Sequence, residues 1–283
     1  MEEGASKDEA VSQQTKGITF MNTIERTEKK FGMKIVRALA ILCLFTAQAF
    51  AQDPVKTLPQ NYKLQFENDW VKVTQVHYGP HEKLPAHGHT QTASAYVYLN
   101  DSGPVVFKHI GLAYGAVTRP ATKAGSFRLY SGLIEIHEVE NLSDLPSEFL
   151  RVEFKTEPIN DKSLRGRFFR EAYPPGENFQ KVQFENEQIR ITRLVCAQGK
   201  ALEISTVAAE PALLVALTPA GLGSSQRTMF MRLSHTDQIL WISAGQKKTL
   251  ANGRLSNELV ELLRFDFKTK PLSKEMLEKD SKH

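Results

Sequence analysis

The feature that most constrains this chain is that it contains two copies of one segment. LQFENDWVKVTQV (Leu64–Val76) and VQFENEQIRITRL (Val182–Leu194) align without a gap. Phe66, Glu67 and Asn68 meet Phe184, Glu185 and Asn186. Val71 and Val73 meet Ile189 and Ile191, and Thr74 meets Thr192. The register runs on through Leu84 with Leu202, Val97 with Val215, Leu99 with Leu217 and Gly103 with Gly221. Each half closes alike, with FLRVEFKTEP (Phe149–Pro158) and LLRFDFKTKP (Leu262–Pro271). The spacing is a domain length, so the chain reads as two copies of one domain and not as a solenoid of short repeats.

Within each copy the apolar residues alternate. Val71 and Val73 interleave with Lys72 and Thr74, a period of two. Ser94–Leu99, Val105–Ile110, Phe127–Tyr130, Leu133–Val139 and Phe149–Lys155 are further short runs rich in Val, Tyr, Phe and Ile. Turn residues such as Asn100-Asp101-Ser102-Gly103 separate them. Many short strands with almost no helical periodicity predict an all-β sandwich or barrel in each copy. Residues 52–160 form the first domain and 179–271 the second. The stretch between them, with Arg165-Gly166-Arg167 and Pro174-Pro175-Gly176, reads as a linker over 161–178, and Leu272–His283 as a charged tail.

The N-terminus carries its own signal. From Met33 the chain reads MKIVRALAILCLFTAQAFAQ, with Lys34 and Arg37 as a positive start, an apolar core over Ala38–Ala47 and Ala49-Phe50-Ala51 as a small-x-small cleavage site. This is the pattern of a secretory signal peptide, and the apolar run is too short for a membrane span. Translation is expected to begin at Met33 or Met21, and residues 1–32 are polar and charged, with no pattern for a packed core. Cys43 leaves with the leader, so Cys196 stands alone without a disulfide partner and reads as a small core residue. The net charge of +4 is small and spread along the chain, and no Lys/Arg cluster is interleaved with aromatics, which excludes a nucleic-acid surface. No G-x-S-x-G, phosphate loop or C-x-x-C is present.

The chemistry sits in the first copy. GPHEKLPAHGHTQTASAYVYLNDSG (Gly79–Gly103) contains His87 and His89, two apart, whose side chains share one side of an extended strand. His137 follows in IEIHEVENLSD. A third imidazole from a facing strand completes a three-histidine face with open positions, and neutral imidazole suits Zn, Fe and Ni.

On these residues the chain resembles the cupin superfamily. Gly79, His87, His89 and Gly103 fit the family's first motif, and His137 with Asn141 fits the His-x-x-x-Asn of the second. The resemblance implies two tandem double-stranded β-helix (jelly-roll) barrels, with the motif histidines facing the interior of the first. It implies a divalent metal (Zn, Fe, Mn or Ni) on His87, His89 and His137, a small-molecule ligand or substrate, and room for a homodimer by strand exchange. The family's motif Glu belongs near position 93 or 94, where this chain has Ala93 and Ser94; Glu135, His81 and Gln91 are the nearby polar candidates. In the second copy Ser205 and Val207 stand against His87 and His89, and His137 falls near Thr249–Leu250, so that barrel is expected to hold no metal. His77 and His109 read as structural or lumen-lining, and Tyr96, Tyr98, Phe107 and Tyr130 as core or pocket wall. Two functions fit: a metal-dependent enzyme of oxygenase, isomerase or lyase type, and a non-catalytic extracytoplasmic binder of small ligands. Intact-mass measurement of the exported protein should find a chain beginning at Gln52; a chain that keeps Met33–Ala51 sinks the leader assignment.

Overall fold

The structure, a computed structural model, describes residues 53–89, 92–113, 115–132, 135–159, 163–218, 239–252 and 259–273. The leader, the segment before it, Cys43, Gln91 and all but the first two residues of the charged tail lie outside the described residues. Apart from one short helix, α1 (Pro54–Thr57), capped by the Asp53 side chain, the described elements are strands. No helix among the described residues is long and apolar enough to cross a membrane.

The strands of the first half are β1 (Tyr62–Glu67), β2 (Val71–Tyr78), β3 (Lys83–His89), β4 (Ser94–Tyr98), β5 (Val105–His109), β6 (Ala116–Arg119), β7 (Phe127–Tyr130), β8 (Glu135–Asn141), β9 (Ser147–Phe154) and β10 (Gly166–Phe168). They form two antiparallel sheets, β1-β2-β9-β4-β7-β10 and β3-β8-β5-β6, which face each other as a barrel. The second half holds β11 (Phe179–Glu185), β12 (Ile189–Cys196), β13 (Ala201–Ser205), β14 (Ala212–Ala216), β15 (Ile239–Ile242), β16 (Lys247–Ala251) and β17 (Val260–Phe267). Its sheets are β11-β12-β17-β14-β15 and β13-β16. The 161–178 stretch does more than connect: β10 pairs with β7 at the edge of the first barrel, and Phe168 stacks on Phe127 at 4.5 Å.

The paired sequence motifs do the same work in each half. Asn68 Oδ1 accepts from the Trp70 and Val71 amides, and Asn186 Oδ1 from those of Gln188 and Ile189. These Asx turns set the β1–β2 and β11–β12 hairpins, each with a register shift at the same place, Leu64/Phe66 and Val182/Phe184. The closing lysines reach back to them. Lys155 Nζ bonds Glu67 and the Asn68 carbonyl, and Lys268 Nζ bonds Glu185 and the Asn186 carbonyl.

The central strands of each large sheet are buried on both faces. Val71, Val73, Ala95, Val97, Phe127, Leu129, Leu150, Val152 and Phe154 face the other half, where Ile189, Ile191, Leu213, Val215, Leu263, Phe265 and Phe267 meet them in one cluster. Trp70 and Trp241 flank Phe267 at ring distances of 6.3 and 5.7 Å. Alternate residues of the same strands line the two lumens, and there the halves diverge. The second lumen is packed with Leu194, Cys196, Leu202, Ile204, Leu214, Ala216, Ile242, Leu250, Val260 and Leu262. The first is walled by polar and aromatic side chains around a cavity of about 250 Å³.

The motif glycine at 103 has a steric cause. A Cβ there would overlap the Cβ and Oγ of Ser143, atoms too close to the backbone to swing away. Gly103→Ala is expected to lower unfolding free energy by about 1–3 kcal/mol, and Ser143→Gly in the same chain should recover part of the loss; additivity of the two in urea denaturation would rule out the clash.

Candidate metal centre

β3 and β8 pair across the small sheet with His87 opposite His137. The pairing shifts by one residue between Leu84 and His87, at Pro85-Ala86, and past this shift His87 and His89 lie with His137. The three rings come together at centroid distances of 5.0 Å (His87–His89), 4.9 Å (His87–His137) and 5.0 Å (His89–His137). Their donor nitrogens all lie within 4.8 Å of one another. The β13–β16 ladder has no such shift. With Leu202–Leu250 matched to Leu84–Val139, the pair equivalent to His87–His137 is Ile204–Lys248, so the register moves the second-barrel equivalents by one residue from Ser205 and from Thr249–Leu250. Neither Ile204 nor Lys248 is a metal ligand of the usual kind.

Burial keeps the imidazoles neutral, which is the form that donates an electron pair. It brings the pKa of His87 down to about 4, against a smaller opposing effect of the Pro85 carbonyl. His89 is held well below the ordinary range by burial and then by the charge of Arg151. His137 is lowered by burial, with Glu135 pulling the other way. The hydrogen bonds around the rings differ. His87 Nδ1 lies 2.9 Å from the Pro85 carbonyl, an acceptor, so this nitrogen carries the proton and Nε2 presents its lone pair, 2.8 Å from Tyr62 Oη. Arg151 Nη1 donates to His89 Nδ1. Neither ring nitrogen of His137 makes a hydrogen bond, although the residue is only 3% exposed; Nδ1 lies 3.5 Å from Glu135 Oε2, without hydrogen-bond geometry.

A buried, unpartnered imidazole costs stability unless something binds it. The donor set here, three neutral imidazoles with one carboxylate beside them, fits a divalent cation. His87 and His89 would hold such a cation together with His137, and binding it would compete with the Tyr62 and Arg151 hydrogen bonds to those rings. The carboxylate nearest the histidines is Glu135, one of the candidates for the missing motif Glu. Ala93 and Ser94 leave β4 without the motif Glu, and Glu135 on β8 supplies the negative charge. Burial alone would raise its pKa, but contacts with His137 and Tyr130 hold it below the usual carboxylate value. Glu135 Oε1 accepts from Tyr130 Oη and lies 3.7 Å from His109 Nε2, so His109, Glu135 and His137 form a second set of mutually close donors.

Other candidates fall elsewhere. His81 sits on an exposed turn at φ 55° and pairs with Asp144 at 2.8 Å, because the β2–β3 turn carries it outside the barrel; it is not near the cluster's hydrogen-bond network. His77, 44% exposed at its side chain, pairs with Glu148 and does not line the lumen. Asn141 is no ligand either. It is buried, and its side-chain amide donates to the Gly79 and Leu145 carbonyls, tying β8 to the β2–β3 turn. Cys196 is fully buried in the second lumen. Tyr96, Tyr98, Phe107 and Tyr130 do wall the cavity. Pattern reading missed Tyr62, Tyr78, Arg119, Arg128 and Arg151, which wall it too. For two of them a signal was present: Arg128 alternates with Phe127 and Leu129 on β7, and Arg151 stands between Leu150 and Val152 on β9.

No family model and no curated protein matches the sequence. Solved structures do. YhhW from Escherichia coli is 13% identical, over 75% of this chain and 91% of that one, with a TM-score of 0.51. A cupin domain from Bordetella pertussis is 26% identical over 33% of this chain and 91% of its own, with a TM-score of 0.29. Salicylate 1,2-dioxygenase from Pseudaminobacter salicylatoxidans is 11% identical over 71% of each chain, with a TM-score of 0.47. The fold is two tandem cupin-like β-barrels in one chain, and the likeness to YhhW is one of fold.

Asn141→Ala should lower unfolding free energy by about 2–3 kcal/mol, since it strands buried carbonyls. Denaturant titration checks this, and a loss under half a kcal/mol, ~0.5, would deny Asn141 its tie.

Proposed function

We propose that the first barrel holds one divalent ion on His87, His89 and His137, with Glu135 beside it, and uses it on a small molecule in the adjoining cavity. The observation that carries this reading is the convergence of three neutral imidazoles, two of them buried and one without a hydrogen bond, with His89 and His137 lining the cavity. Such an ion supplies a Lewis acid that polarises an oxygen bound to it. The chain's own residues supply the rest. Glu135, 3.5 Å from His137 Nδ1, adds negative charge near the cation. Tyr62 and Tyr78, hydrogen-bonded to each other at 2.9 Å, stand behind His87. Tyr96, Phe107 and Phe149 exclude water from the chamber. The donor set leaves Zn, Fe, Mn and Ni as the ions to try, and an oxygenase, isomerase or lyase reaction as the class. The second barrel, with its filled lumen, is the structural partner. The leader over Met33–Ala51 supports action outside the cytoplasm.

Elemental analysis after loading with each of the four metals should find one equivalent retained by the wild type. His87→Ala and His137→Ala should retain none. The loaded wild type should also melt higher, by about 2.7 kcal/mol of added stability when free metal is a hundred times Kd. Absence of bound metal and of any melting shift with all four ions, in protein with a native circular-dichroism spectrum, overturns the reading.

A further inference from the structure

The charges of the first lumen do not balance. Three arginines wall the cavity: Arg119, Arg128 and Arg151. Arg151 is compensated, with Glu153 3.3 Å away. Arg119 is 4% exposed, and its guanidinium donates only to the hydroxyls of Ser102 and Ser147, at 3.3 and 2.9 Å. It lies over the rings of Tyr98 and Phe149. Arg128 lies over Tyr96 and Tyr130, at 4.9 and 5.8 Å. Among the described residues neither Arg119 nor Arg128 forms an ion pair with a carboxylate. The Nε atoms of both are buried and without hydrogen-bond partners. Burial lowers the Arg119 pKa, against smaller opposing effects of Tyr98 and Tyr78.

The second barrel shows which of these charges the scaffold needs. By strand register, Arg151 and Glu153 correspond to Arg264 and Asp266, which keep their pair in the packed lumen. Arg128 and Tyr130, opposite Tyr96 and Ser94, correspond to Leu240 and Ile242, opposite Leu214 and Ala212. The Arg–acid pair is therefore common to both barrels, whereas Arg128 belongs to the open lumen alone. Buried cations without a partner are costly and persist where a ligand supplies the missing charge.

We propose that this lumen binds a small organic carboxylate, with its carboxylate between Arg119 and Arg128, its apolar body against Phe107 and Phe149, and its far end at the His137–Glu135 cluster. This rests on the reading above only in placing function in the first lumen. Arginine suits a planar carboxylate through paired N–H donors. The cavity's volume of about 250 Å³ admits one ring or a short chain. A neutral ligand would leave both guanidiniums as they are.

The test uses benzoate, phenylacetate and hexanoate beside their amides, which match them in shape without the charge. Binding is read by ligand-observed NMR and by melting shift, on metal-loaded protein, chelator-treated protein and His87→Ala. Wild type should favour each carboxylate over its amide by tenfold or more, on the order of one charged hydrogen bond. Arg128→Gln should erase that preference without lowering the melting temperature, because it removes a half-buried charge whose Nε has no hydrogen-bond partner. Arg128→Lys, which keeps the charge but not the fork, should restore part of it. Equal binding of acids and amides, no binding of any carboxylate at low-millimolar concentration, or an Arg128→Gln protein that keeps the preference overturns this inference, whatever the metal content. A carboxylate preference in protein that binds no metal leaves it standing and removes the metal centre instead.

Discussion

The rest of the structure depends on the back-to-back contact of the two large sheets. Val71, Val73, Val152 and Phe154 on one side and Ile189, Ile191, Phe265 and Phe267 on the other are all 2% exposed or less. This shared layer is a continuous apolar core of the kind that supplies most of a domain's stability. Once it exists, the first barrel need not fill its own interior. The second lumen adds a further packed cluster of ten buried residues. The first lumen is thereby free to hold histidines, tyrosines and arginines around open space. The division of labour between the barrels follows from where the apolar area is buried.

The contact is also keyed by charge. Arg193 and Glu261 are fully buried and ion-paired, Arg193 Nη2 donates to the Gly125 carbonyl of the first barrel at 2.7 Å, and Arg170 from the connecting segment joins Glu261. Replacing such a pair by apolar residues is often neutral in energy, but removing one partner is not, so its effect is to fix how the halves meet. Gly125, at φ 76°, sits where the loop before β7 must turn in the left-handed region to present that carbonyl. The same loop leads into Arg128, so the interface positions one of the lumen's cations.

Much of this was legible in the sequence. Alternation over Val71–Val76 and the runs at Ser94–Leu99, Val105–Ile110 and Phe149–Lys155 mark strands that the fold contains, because a strand's side chains must alternate whatever they pack against. His87, His89 and His137 could be paired because a two-residue spacing on a strand puts two rings on one side. What escaped was anything set by register. The one-residue shift at Pro85-Ala86 moves the second-barrel equivalents of the histidines, and no spacing in the chain announces it. β10 was taken into a linker because three residues ending in Phe168 are too short to show a period. Glu135 was named as a stand-in for the motif Glu, but its approach to His109 escaped, since that comes from the pairing of β5 with β8.

The arginines were missed for a different physical reason. In FRLY, over Phe127–Tyr130, the alternation of Phe127 and Leu129 with Arg128 and Tyr130 is the pattern of a strand with one wet face. Here that second face is the lumen, so the rule that polar means solvent fails at Arg128 on β7 and at Arg151 on β9. Lys72 on β2 follows the rule and Arg151 on β9 breaks it, though both alternate with buried valines. What distinguishes them is the partner strand: Arg151 faces Tyr96 across β4, and aromatic neighbours line a chamber where lysines and glutamates would line a surface. In a barrel whose large sheet is covered on its outer face, polar residues of its central strands, such as Arg128 and Arg151, line the lumen. Reading them as such places the chemistry of this chain on β4, β7, β8 and β9 as much as on the histidine pair of β3.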